Sequence, residues 1–198
     1  MLRVAVLVSG GGTNLQALIN AQKNGKLGKA EIVKVISNNE NAYALKRAEK
    51  EGIETAVVLK KSFSSDEAFE AELIREIESS DAGLIVLAGF MCILSESFTS
   101  RFEKRIINVH PSLIPSFCGK SYYGLRVHEA ALERGVKVTG ATVHYVNEIP
   151  DGGEIIAQKA VEILPDDTPE TLQKRVMEQA EWIILPQSVA VISEMEAP

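Results

Sequence analysis

The chain has 198 residues, 45% hydrophobic and 24% charged, with a formal net charge of −6 and a pI near 5.2. That length allows one substantial domain and excludes two ordinary ones, and the composition excludes a disordered chain. An acidic balance without any Lys/Arg block excludes the electrostatic footprint of a nucleic-acid binder, although backbone N–H groups can still hold a phosphate locally.

The two cysteines, Cys92 and Cys118, have neither metal-ligand spacing nor partners for a disulfide framework, which fits a reducing cytoplasm and no metal. The apolar run in Met1 to Ser9 is too short for a membrane span and passes directly into glycines, so it reads as a strand and not a leader.

From the N-terminus, Arg3 to Val8 is a β-branched strand that ends in Ser9-Gly10-Gly11-Gly12. Thr13 to Gln22 follows as a helix, with Leu15, Leu18 and Ile19 on one face. Glu31 to Ile36, Thr55 to Leu59 and Leu84 to Ala88 read as further strands, with helices over Ala42 to Glu51 and Ser65 to Ser79 between them. Ser64 and Glu67 have capping-box spacing at the start of that second helix, and Phe69, Leu73 and Ile77 give it an apolar face. A short helix near Glu96 to Phe102 leads to a buried strand, Arg105 to Val109.

This β-α alternation predicts an α/β fold: an open, mostly parallel, Rossmann-like sheet flanked by helices. After residue 110 the pattern changes. Pro111 to Gly124 is a loop, Val127 to Arg134 a helix, and Thr139 to Val146 and Glu154 to Glu162 form a C-terminal antiparallel hairpin with a long turn. Thr168 and Pro169 start a last helix, in which Pro186 is expected to introduce a kink or a break.

Two places carry chemistry. In the glycine-rich turn, Gly12, Thr13 and Asn14 open a helix whose unpaired N–H groups suit a phosphate. Leu15 stands where a dinucleotide fingerprint needs glycine, and the Gly-Lys-Ser/Thr of a P-loop is missing, so the turn points to a single phosphate and away from a nicotinamide reductase. At the end of the buried strand, Asn108 and His110 are two residues apart and face the same way, at the strand terminus where open sheets bind ligands. An amide there can steady an oxyanion and an imidazole can move a proton, but spacing alone leaves His110 between a structural cap and a catalyst. Asp151 reads locally as a turn residue and joins the site only if it reaches His110. His144 reads as a packed histidine that could line the pocket, and His128 as a surface or loop-supporting one.

Five motifs resemble the phosphoribosylglycinamide formyltransferases, a folate-dependent formyltransferase family, in order and near-family spacing from Leu2 to about Ile192. They are Val8 to Gln16, Leu87 to Met91, Asn108-Val109-His110-Pro111-Ser112-Leu113-Ile114-Pro115, Gly140 to Val146, and Asp151-Gly152-Gly153. The resemblance implies transfer of a formyl group from the co-substrate 10-formyltetrahydrofolate to the amine of glycinamide ribonucleotide, in the cytoplasm, by a monomer or homodimer. It implies that His110 donates a proton, Asn108 polarises the formyl oxygen and Asp151 raises the basicity of His110. Gly12, Thr13, Asn14 and Glu181 would hold the ribonucleotide, and Met91, Cys92, Ile93, Leu94 and Asn108 the folate. Residues 1–198 would form one domain, with a phosphate-binding half (1–104) and a catalytic, folate-binding half (105–198). Cys92 and Asp66 depart from basic residues that other members place near the folate tail, and the 118–124 loop is longer than usual for the family. A formyltetrahydrofolate hydrolase or another folate-dependent formyltransferase is the alternative; methionyl-tRNA formyltransferase is disfavoured by the acidic charge.

Overall fold

In a computed structural model that describes residues 1–195, seven strands form one sheet in the order β3-β2-β1-β4-β5-β6-β7. The expected domain end at residue 198 lies outside the described residues. β1 (Leu2–Val8), β2 (Ala30–Ser37), β3 (Glu54–Val57), β4 (Leu84–Leu87) and β5 (Ile106–His110) pair in parallel. β6 (Val138–Tyr145) and β7 (Ile155–Glu162) then run antiparallel. The chain leaves β1 for β2 on one side and later returns to place β4 on the other, so β1 and β4 flank the topological switch point where such sheets bind ligands.

The central strands are apolar runs because both faces are covered. One core layer joins Val4, Val6 and Val8 to α1 (Thr13–Lys23), α2 (Tyr43–Lys50), α6 (Pro169–Val176) and α7 (Trp182–Met195). The opposite layer joins Ala5, Leu7 and Ile85 to Phe69, Leu73 and Ile77 of α3 (Asp66–Glu78) and Phe98 of α4 (Glu96–Arg101). Alternate residues of one strand thus feed opposite layers, as period-two geometry requires. α5 (Leu125–Arg134) packs beside α6.

Several expectations need correction. The α3 cap is Ser65, whose hydroxyl accepts from the Ala68 N–H at 3.2 Å, and Ala68 has no polar side chain to bond back, so a single cap replaces the box expected from Ser64 and Glu67. The third strand runs Glu54–Val57, so it stops two residues short of the expected end at Leu59, and a 3-10 turn over Lys60–Ser62 follows. Pro186 lies inside α7 without ending it. The irregularity falls just before, in a π-turn over Met177–Glu181. Pro186 is the fifth residue of α7, so its missing N–H falls in the turn next to a hydrogen-bond ladder already interrupted by the π-turn. His128 is fully buried, not on the surface.

Candidate active site

The glycine turn is built to bring backbone close to whatever it holds. Gly12 has φ +70°, and a Cβ there would lie 2.6 Å from that of Ala44 on α2, so only glycine fits between the two helices. It offers no side chain to cap α1, which leaves the first-turn N–H groups open to a ligand. Cβ atoms built on Gly10 and Gly11 would meet nothing within 4 Å, so that side of the turn is unobstructed. Arg47 braces the turn from beneath by donating to the Gly11 carbonyl at 2.8 Å.

Thr13 is exposed, and Asn14 is buried against the last helical segment. The Asn14 amide donates to Glu181 Oε2 at 2.7 Å, while its own Oδ1 has no partner among the described residues. Glu181 ends the π-turn, whose wider winding sets it on the buried side. Burial pushes its carboxyl up to about 7, against the smaller opposing effect of the Asn14 hydrogen bond.

The second group forms where the sheet changes direction. The β5–β6 register sets Asn108 opposite His144 and His110 opposite Thr142. Asp151, at φ +56° in the hairpin turn, reaches back to both histidines. Its Oδ2 is 3.5 Å from His110 Nδ1 and its Oδ1 is 3.5 Å from His144 Nε2. Asn108 Nδ2 is 3.3 Å from the same His144 nitrogen. His144 Nδ1 donates to the Tyr145 carbonyl at 2.8 Å, which fixes that proton and turns Nε2 towards Asn108 and Asp151. His144 therefore ties the amide to the carboxylate.

Two backbone groups in the long loop complete the arrangement, and neither was visible in the sequence. His110 Nε2 donates to the Phe117 carbonyl at 2.9 Å, and the Gly119 N–H donates to Asp151 Oδ2 at 2.8 Å. The loop is anchored at its root by buried Thr142, which donates to the Ser112 carbonyl at 2.7 Å and accepts from the Ile114 N–H at 3.1 Å. Gln158 on β7 donates to both Thr142 Oγ1 and the Ile114 carbonyl, at 3.0 and 2.9 Å.

Burial lowers the basicity of His110 more than Asp151 and the Phe117 carbonyl raise it, so the free imidazole is neutral at pH 7. For Asp151 the balance is reversed. Burial raises its pKa, but the His144 hydrogen bond, the His110 charge and the Gly119 N–H together hold it below the ordinary carboxylate range. An ionised carboxylate thus faces a neutral imidazole that becomes charged only when it takes up a further proton. Such a set can donate a hydrogen bond to a developing oxyanion and pass protons.

The 91–94 segment lies beside the turn, with the Met91 N–H donating to Ser9 Oγ at 2.8 Å. Met91 and Ile93 are exposed, Cys92 is half-buried and accepts from the Asn38 amide, and Leu94 is packed in the core. Asp66 is bound to Lys60 at 2.9 Å. Among the described residues, no group of three His, Cys, Asp or Glu is placed to hold a metal, and no helix is long and apolar enough to cross a membrane.

A model of the formyl transferase family matches residues 2–189, and this chain belongs to that family. The phosphoribosylglycinamide formyltransferase of Haemophilus influenzae is 44% identical over 186 residues, covering 94% of this chain and 84% of that protein. The trifunctional purine biosynthetic protein adenosine-3 of Drosophila melanogaster is 44% identical over 191 residues, and the chain spans only 14% of its length. The crystal structure of glycinamide ribonucleotide transformylase 1 from Symbiobacterium toebii is similar with a TM-score of 0.92 and 37% identity, over 98% of this chain and 89% of that one.

Proposed function

We propose that the chain transfers the formyl group of 10-formyltetrahydrofolate to the amine of glycinamide ribonucleotide, a step of purine biosynthesis. The observation that carries the reading is the meeting of Asn108, His110, His144 and Asp151 at the end of β5, two strands from an open phosphate turn at the end of β1. The phosphate is held by the N–H groups of Gly12, Thr13 and Asn14, and Glu181 takes a hydroxyl of the ribose. The folate lies along Met91 to Leu94, with exposed Met91 and Ile93 offering apolar surface to its rings.

In this reading the amine lone pair attacks the formyl carbon, and the carbonyl π pair moves onto oxygen. The Asn108 amide and the His110 Nε2–H, which the Phe117 carbonyl holds in the free protein, hydrogen-bond the resulting oxyanion. The ammonium proton of the adduct passes through Asp151 and water to N10 of the folate. The C–N10 bond then breaks, releasing tetrahydrofolate and the N-formyl product. Asp151, ionised and 3.5 Å from His110 Nδ1, stabilises any imidazolium formed on the way.

All these groups come from one chain, so a monomer or a homodimer supports the chemistry. The phosphate turn belongs to residues 1–104 and the reacting groups to 105–198 of one domain, with Glu181 crossing back to the turn. Free Cys92 and Cys118 suit the cytoplasm.

The test mixes the protein with glycinamide ribonucleotide and a 10-formyl folate and follows release of deformylated folate. Turnover that requires the ribonucleotide and yields its N-formyl derivative is expected. Folate release at the same rate without the ribonucleotide would instead identify a hydrolase.

A further inference from the structure

We propose that the cleft between α1 and α7 is a second ligand site, which takes a purine nucleoside phosphate and is separate from the Asn108–His110 centre. The cleft has a volume of about 470 Å³; none of Asn108, His110, His144 and Asp151 lines it, and of the phosphate-turn residues Gly12, Thr13 and Asn14 only Thr13 does. Although the chain carries 27 Asp and Glu against 21 Lys and Arg, no acidic side chain lines the cleft. Its charged lining residues are Lys26 and Arg47. Lys26 forms no ion pair among the described residues. Arg47 donates from Nε to Gly11 and from Nη1 to Gln16 Oε1 at 2.8 Å, which leaves Nη2 available. The Arg47 guanidinium also lies over the Tyr43 ring, 4.9 Å from its centroid, which holds it in place, and a fixed guanidinium with an ammonium in the same cleft suits a phosphate.

The wall formed by α1 reads the edge of a base. Gln16 Nε2 donates to Asn20 Oδ1 at 3.0 Å, and Asn24 Nδ2 donates to the Asn20 carbonyl at 2.8 Å. Among the described residues, these bonds leave the Asn20 Nδ2 donor and the Asn24 Oδ1 acceptor without side-chain or backbone partners, one helical turn apart. A neighbouring amide donor and acceptor complement a purine edge, as carboxamides do for adenine. Trp182 and Pro186 of α7 supply the flat apolar wall opposite. The three features together ask for a planar, hydrogen-bonding ring that carries an anion.

Arg47 links the cleft to the Gly11 carbonyl, so a phosphate drawn to Arg47 would loosen the phosphate turn. That consequence rests on the function proposed above, whereas occupancy of the cleft does not. Trp182 is the only tryptophan, so intrinsic fluorescence reports the cleft directly. The full chain is titrated with adenosine 5′-monophosphate in the absence of folate, and separately with adenosine and with inorganic phosphate. A saturable change is expected with the nucleotide, at a midpoint lower than with either fragment. Lys26→Glu and Asn20→Leu should each raise that midpoint about tenfold, the loss expected of one hydrogen bond to a charged or buried group, and leave KM for the ribonucleotide unchanged. Both residues are exposed, and circular dichroism checks that the variants fold. Two results overturn the proposal. One is no saturable change at millimolar nucleotide. The other is a change that both variants retain and the ribonucleotide abolishes, which would place the nucleotide in the Gly10–Asn14 turn.

Discussion

At the scale of single residues, the site separates groups by how they are charged. His110 is neutral and Asp151 ionised in the free protein, because burial dominates for the first and three hydrogen-bonding or charged neighbours outweigh it for the second. His110→Ala should lower kcat by roughly 10²–10⁴, the usual contribution of a positioned acid-base group, while nucleotide binding and the fold are kept. Steady-state kinetics beside a thermal melt measures this, and near-normal turnover would remove His110 from the chemistry. Glu181 behaves oppositely to Asp151. Its carboxyl is lifted to about 7, so it is protonated below neutrality and becomes a full acceptor above it. KM for the ribonucleotide should therefore fall as pH rises through about 7, and Glu181→Gln should flatten that profile. Asn108 and His110 were legible because residues two apart in a strand share a face. The reach of Asp151 was not, since a turn aspartate carries no local mark of what it faces. His128 was misread because a helical histidine beside a loop looks the same in sequence whether buried or exposed.

At the scale of elements, the antiparallel pairing of β5 and β6 fixes the distance between amide, imidazoles and carboxylate. Gly140 and Gly153 show how tightly the hairpin is drawn. A Cβ at Gly140 would lie 2.1 Å from the Lys159 carbonyl oxygen, and one at Gly153 1.8 Å from that of Tyr145. Asp-Gly-Gly was readable as a turn, but the second glycine serves a close backbone approach that sequence does not display. Thr142 joins this hairpin to the loop after His110. Thr142→Val keeps the shape but removes the acceptor for Ile114 N–H and the donor for the Ser112 carbonyl. The loss should be about 1–3 kcal/mol of stability, with a drop in kcat larger than any change in KM for the ribonucleotide. Urea unfolding and kinetics on the same variant check both. The strands and helices were legible from period, whereas the π-turn that positions Glu181 was not: proline in a helix signals irregularity without saying on which turn it falls.

At the scale of the whole molecule, acid should act through α5. His128 is fully buried, neither ring nitrogen has a partner among the described residues, and burial followed by repulsion from His110 pushes its pKa down from 6.5 to about 4. The folded protein keeps this ring neutral while the unfolded chain charges it below 6.5. Stability is therefore fully present above 6.5 and is lost as pH falls towards 4, by on the order of 3 kcal/mol. His110 shifts in the same direction and adds to the slope. Urea midpoints between pH 4 and 7 should show this decline, and His128→Met should make it shallower; an identical slope in the variant would exclude His128 as the source. Because α5 follows the 111–124 loop directly, activity should be lost in acid together with this stability. The parallel sheet itself was predictable from alternation alone, since helices of this length between apolar strands can return only as crossovers. That β6 and β7 continue the same sheet was not, because a hairpin pattern does not say which edge it joins.

The Phe117 carbonyl and the Gly119 N–H, which hold His110 and Asp151, are main-chain atoms. Side-chain truncation cannot delete them, so an alanine scan of the loop around Phe117 would leave these two contacts unregistered. Gly119→Pro would delete the donor to Asp151, and shortening the loop by one residue would disconnect both side chains. The function of this stretch thus rests on the path of the chain, which Gly119 at φ +86° helps to set, more than on what its side chains touch.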